Sequence, residues 1–169
     1  EPYYKDDLVT LFHGDCLEVT EWLAADVLVT DPPYGVDWKG THNYVKGASN
    51  APKWSDGIAN DENSIARDIA LSRWAEKPAI VFGSWKVARP EKTNHRLIWH
   101  KAGMPPGPLN AAFMSQDEEI YILGSGYVKT SPPMRSVLRT DEHRSTASQL
   151  VGHPTPKPIG LMELLIERC

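Results

Sequence analysis

Short runs of apolar, largely β-branched residues alternate along this chain with segments whose apolar residues recur at helical spacing. Leu8-Val9-Thr10-Leu11-Phe12, bounded by Gly14-Asp15, predicts a buried strand. Residues Leu17 to Ala24 predict a short helix with Asp15 or Cys16 near its start, and 25–30 (Ala-Asp-Val-Leu-Val-Thr) a second strand. Residues 35 to 62 hold Gly, Asn, Ser, Lys and Trp with no period, which predicts a long loop with a functional role. A helix follows, with Ile65, Ala66, Ile69, Ala70 and Trp74 on one face, Asn63 or Ser64 as cap, and Pro78 beyond its end. Ala79 to Phe82, Arg96 to Trp99 and Ile120 to Leu123 predict three more strands. Residues 125 to 152 read as loop, and Ile159, Met162, Leu165 and Ile166 as the apolar face of a final helix.

Continuous apolar strands suit a sheet covered on both faces, and strands alternating with helices predict an α/β fold with a mostly parallel sheet. In such sheets, ligands bind at the carboxyl ends of the strands. The polar punctuation there is Gly14-Asp15, Asp31-Pro32-Pro33-Tyr34, Gly83-Ser84 and His100-Lys101.

The 169 residues, 41% hydrophobic and 24% charged, fit one domain with a real core. No apolar run approaches the roughly 20 residues of a membrane helix. The net charge of −4 argues against nucleic-acid binding by bulk charge but leaves room for a local basic face. Two cysteines, Cys16 and Cys169, show no metal spacing and suit a reduced, cytoplasmic setting. The last helical pattern runs to Cys169 without a stop signal, so the expectation is a partial domain or one half of a split protein.

The turn Asp31-Pro32-Pro33-Tyr34 carries the sharpest chemistry. Two prolines fix φ near −65° and remove two N–H donors, which leaves a rigid turn with outward carbonyls. Such a turn, with the Asp31 carboxylate, can accept both hydrogens of an amine whose lone pair is otherwise delocalised into a ring. The nitrogen then aims its lone pair at an electrophile held in line. Tyr34 offers a flat face for stacking on a base. The plain alternative is a tight turn after a strand, since Asp and Pro are common turn residues.

Asp31-Pro32-Pro33-Tyr34 resembles the catalytic motif of the DNA amino-methyltransferases, which modify adenine N6 or cytosine N4. His13-Gly14-Asp15-Cys16-Leu17 is similar to that family's Gly-Asp-x-Leu segment. His153-Pro154-Thr155-Pro156-Lys157-Pro158 closely matches its His-Pro-Thr-x-Lys-Pro segment. Trp38-Lys39-Gly40, residues 58–62, Trp99-His100-Lys101 and residues 118–123 resemble further stretches of it. The order, catalytic motif first, resembles the permuted (beta-type) subgroup, in which a glycine-rich cofactor loop comes last. No such loop follows in this chain.

The resemblance implies S-adenosylmethionine as cofactor, double-stranded DNA as partner, base flipping, and a place in restriction-modification. It implies a catalytic role for Asp31, Pro32, Pro33 and Tyr34, and cofactor contacts from Asp15, Cys16, Asp31, Thr155, Lys157 and Pro158. Asp15 would lie near the adenine ring and Lys157 near the cofactor carboxylate. Asp15 as a helix cap, Lys157 as a solvated lysine and His153 in a structural role are the bland alternatives.

DNA contacts fall to two loops, 35–62 with Lys39 and Lys46, and 125–152 with Arg135, Arg139 and Arg144, unless these are ordinary solvated charges. Two other functions compete: methyl transfer to RNA or protein amides, and a catalytically incomplete half that binds DNA and needs a C-terminal segment or complementary subunit. A triad of Ser84, His100 and Asp31 lacks the Gly-x-Ser-x-Gly elbow, and the scattered histidines argue against zinc.

Overall fold

The computed structural model describes residues 1–38, 57–102, 112–113, 115–140 and 156–169. Among these, five strands form one sheet: β3 (Leu28–Thr30), β4 (Ala79–Gly83), β5 (Thr93–Lys101), β6 (Asp117–Leu123) and β7 (Val137–Thr140), in the order β3-β4-β6-β5-β7. β3 runs parallel to β4 and β5 parallel to β7, while β6 is antiparallel to both β4 and β5. Four of the five strands therefore point the same way, and the sheet is mostly parallel as the alternation predicts.

The apolar runs are continuous because both faces are covered. β4 is buried throughout. Its Ile80 and Phe82 face one core with Leu97, Trp99, Ile120, Leu138, and with Leu161 and Leu165 of helix α2 (Ile159–Ile166). Its Ala79 and Val81 face the other core with Tyr121 and Leu123, and with Trp74 of helix α1 (Ile65–Trp74).

Several elements differ from the sequence reading. The predicted strand 8–12 shrinks to β2 (Thr10–Leu11), which among the described residues pairs with β1 (Tyr4–Lys5) in a separate, exposed hairpin. Its apolar residues Leu8, Val9 and Leu11 are exposed. The predicted helix 17–24 is a turn followed by one 3-10 helix, Glu21–Ala24. In α1 the buried face is Arg67 and Trp74, with Leu71 partly buried between them, and Ile65 and Ile69 are exposed. The large Trp74 ring, stacked on Trp22, takes the buried position in place of the isoleucines.

Two further corrections concern the second half. β7 arises inside the predicted loop 125–152, because Leu138 completes the core beside Trp99 and the strand hydrogen-bonds to β5. In α2, Leu161 and Leu165 carry the buried face, whereas Ile159 and Ile166 are exposed.

Candidate active site

β3 delivers Asp31 and Pro32-Pro33 to the carboxyl end of the sheet. Thr30 pairs with Val81, so the turn emerges beside the end of β4. Because β6 runs the other way, its first residues lie at that same end. Period-two alternation sends Glu118 to the α2 face and Glu119 to the α1 face. The loop before α2 returns Lys157 to the same place, with the buried Pro158 capping the helix.

These residues form a connected polar cluster. Asp31 accepts from the Tyr34 hydroxyl through Oδ1 at 2.8 Å and pairs with Lys157 Nζ through Oδ2 at 2.7 Å. The Tyr34 hydroxyl also reaches Glu118 Oε2 at 3.1 Å. Lys157 Nζ lies 3.4 Å from Glu118 Oε2, and Lys101 donates to Glu118 Oε1. The Lys157 ammonium also sits 5.0 Å from the Phe82 ring centroid. Two carboxylates, two ammonium groups and one phenol are thus held against the α2-side core, and the fixed charges balance.

Burial pushes the Glu118 carboxyl up, but Lys157 and Lys101 outweigh it and hold the group below its ordinary value. Tyr34 goes the other way: burial, then the charges of Glu118 and Asp31, push its hydroxyl well above the ordinary tyrosine value. Tyr34 is therefore a neutral hydrogen-bond donor at any working pH. Its ring packs on the α2-side core, and its hydroxyl is committed to the two acids.

On the other side of the turn, Pro32 and Pro33 line a cavity of about 690 Å³. Phe12, Asp15, Cys16, Trp22, Leu28 to Thr30 of β3, and Ala66, Arg67 and Leu71 of α1 complete much of its wall. A volume of this size suits a ligand of several hundred daltons. Asp15 accepts the Leu17 N–H through Oδ1 at 2.8 Å, so it does cap a turn, and it faces the cavity as well.

Of the residues singled out from the sequence, Asp31, Tyr34 and Lys157 meet in the cluster, while Pro32, Pro33, Asp15 and Cys16 meet at the cavity. Lys39, Lys46, Arg144 and Thr155 lie outside the described residues. Arg135 and Arg139 are exposed, and Arg139 pairs in register with His100 near the carboxyl end of β5. Four strand spacings, roughly 19 Å, separate β7 from β3. Ser84 Oγ accepts from the Lys86 N–H, and His100 lies on β5, two strands from β4.

Sequence reasoning did not single out Glu118. Its signal was the alternation Glu118, Ile120, Ile122 on β6, which puts the acid on the same face as two core residues. It also missed Asp61, which is 1% exposed and accepts the N–H groups of Gly35 and Trp38, both at 2.7 Å.

Among the described residues, no helix is long and apolar enough to cross a membrane. Also among them, no group of three or more His, Cys, Asp or Glu is placed to hold a metal ion.

No family model matches the sequence. No curated protein matches it either. Among solved structures the chain is similar to the protein in the crystal structure of the M1.HpyAVI-SAM complex, with a TM-score of 0.54 and 16% identity, over 93% of this chain and 75% of that one. At this identity the likeness shows the fold: an α/β, mostly parallel sheet shared with a protein crystallised with S-adenosylmethionine.

Proposed function

We propose that the chain is an S-adenosylmethionine-dependent methyltransferase acting on the exocyclic amine of a flipped base in double-stranded DNA, adenine favoured over cytosine. The observation that carries this reading is the Asp31-Pro32-Pro33-Tyr34 turn at the carboxyl end of β3, with the cavity on one side and the charge cluster on the other. The fold shared with a protein solved in complex with the cofactor supports it.

The cofactor, when bound, supplies an electrophilic methyl group. The residues present fit it in part. The cavity has the volume and a mostly apolar lining, and Asp15 offers a carboxylate at its rim. Lys157 lies on the other side of the turn, paired with Asp31, and does not line this cavity, so it would meet the cofactor carboxylate only if that group reached past the turn. Asp31 and the carbonyls of the proline turn would accept the amine hydrogens, and the Tyr34 hydroxyl holds Asp31 in place. A methylated amine loses its proton readily once cationic, so no strong base is required. Arg135 and Arg139, with Lys39, Lys46 and Arg144, would contact phosphates.

A second reading has its own observation. Among the described residues, the outer edge of β3 is unpaired and borders the cavity. Gly124-Ser125-Gly126 is no substitute for a cofactor loop. A Cβ on Gly124 would lie 2.0 Å from the Lys77 carbonyl oxygen, so this glycine serves close packing beside the amino end of β4. In this reading the chain is a half whose cofactor site is completed by a complementary segment against β3.

The test is methyl transfer from labelled S-adenosylmethionine to duplex DNA, with the chain alone and with a segment carrying a glycine-rich loop. Label recovered as N6-methyladenine supports the proposal. Label that needs the added segment favours the second reading. DNA that stays unlabelled under both conditions, while RNA or protein is labelled, overturns the DNA assignment.

A further inference from the structure

The turn that carries Asp31 and Tyr34 is followed at once by a backbone that has to be held from outside. Gly35 adopts φ +78°, and Asp37 adopts φ +50°, a conformation that costs energy for a residue with a side chain. Three N–H groups in this short stretch converge on one residue. Asp61 Oδ1 accepts from Gly35 and Oδ2 from Trp38, each at 2.7 Å, and the Asp61 carbonyl accepts from Asp37 at 2.6 Å. The approach is close on both sides. A Cβ on Gly35 would lie 2.6 Å from the Asn63 carbonyl carbon and 2.8 Å from the Ser64 nitrogen.

We propose that Asp61 is a positioning residue for the Asp31–Tyr34 turn, its buried carboxylate setting where those two side chains present their oxygens. The inference rests on the methyltransferase reading of that turn. The alternative is that Asp61 merely starts helix α1. The hydrogen bonds argue against it: Asn63 Oδ1 takes the Ile65 N–H, and Ser64 Oγ donates to Asp68. Both Asp61 carboxylate oxygens reach back across 23 and 26 residues of sequence to the turn. Charge-assisted bonds to backbone N–H groups are short and strong, and two of them on one carboxylate fix an orientation as well as a distance. Tyr34 is bonded covalently to Gly35, and its hydroxyl spans Asp31 and Glu118. A shift at Gly35 is therefore passed directly to the acceptor geometry at Asp31, where a displacement near 1 Å can cost on the order of a hundredfold in rate.

The variant Asp61→Asn keeps the shape but sets an NH₂ group against one of the two N–H donors. Amide hydrogen exchange on the full chain is expected to rise at least about tenfold at Gly35 or Trp38, the effect of losing one such bond. Ile80 to Phe82 in β4 should exchange within about twofold of the original protein. Turnover on DNA is expected to fall at least about tenfold with the cofactor dissociation constant within about twofold, a split that general destabilisation does not produce. Unchanged exchange at both amides, or raised exchange with full turnover, overturns the inference.

If Asp61→Asn exposes β4 as well, Gly35→Ala replaces it, since this presses on Asn63 and leaves Asp61 intact. Raised exchange at Trp38 with lowered turnover then supports the role, and full turnover overturns it. If the original protein methylates no nucleic acid or protein, either alone or with a segment carrying a glycine-rich loop, the methyltransferase reading fails, and the exchange measurement alone decides whether Asp61 holds the turn.

Discussion

Lys157 and Asp31 stand 126 residues apart in the sequence, and the Lys157 ammonium lies 2.7 Å from Asp31 Oδ2. The pair ties the segment before α2 to the turn after β3. It occupies one of the two Asp31 oxygens, and Tyr34 occupies the other. A base amine approaching Asp31 therefore competes with two intramolecular donors, and a ligand carboxylate that draws Lys157 away would free one acceptor.

Asp31→Ala removes the centre of this arrangement. Turnover is expected to fall at least about a hundredfold, the scale for losing one preorganised polar group, while cofactor affinity changes much less. Labelled-cofactor assays on DNA measure both, and near-normal methylation by the variant would take Asp31 out of the mechanism.

Tyr34 separates a ring role from a hydroxyl role. Tyr34→Phe leaves two acids without their shared donor and should lower stability by about 1 kcal/mol. Tyr34→Ala also strips the ring from the core and should cost more. If the ring stacks on the target base, Tyr34→Ala should weaken base capture by roughly 1–3 kcal/mol and Tyr34→Phe should not. Equal activity losses in the two variants would assign the role to the hydroxyl.

The lowered pKa of Glu118 makes stability pH-dependent in one direction. A carboxyl held below its unfolded value of about 4.3 contributes stability above that value. The contribution disappears as pH falls through the lower folded value. Glu118→Gln should therefore be less stable than the original protein at neutral pH. The gap in urea midpoint should close as pH drops below about 4. A gap of constant size down to pH 2 would show that the two lysines do not stabilise the ionised acid.

Cofactor binding separates the two readings of the cavity. With the outer edge of β3 unpaired among the described residues, titration calorimetry on this chain is expected to show a weak site, with a dissociation constant above about 10 µM, or roughly −7 kcal/mol. A tighter site at unit stoichiometry would mean that the cavity is complete without a further segment.

Much of the sheet was legible along the chain. Residues 79–82 and 120–123 are apolar at every position because each strand is buried on two faces, and that signature survives without any knowledge of its partners. The Asp31-Pro32-Pro33-Tyr34 turn was equally visible, since the prolines fix its backbone locally. Leu8 to Phe12 looked like the same kind of strand, yet it lies in an exposed hairpin. A local apolar run states a preference for burial, and whether a neighbour exists to satisfy it is a tertiary fact.

Residues next to one another in sequence fixed the turn chemistry and the alternation of elements. Only the folded chain decided that Glu118, Lys101 and Lys157 surround Asp31 and Tyr34, and that Asp61 grips the turn from behind. The reason is that strand order and direction are set by the packing of whole faces. The reversed β6 brings Glu118 to the carboxyl ends of its neighbours. No spacing within a single segment encodes that reversal.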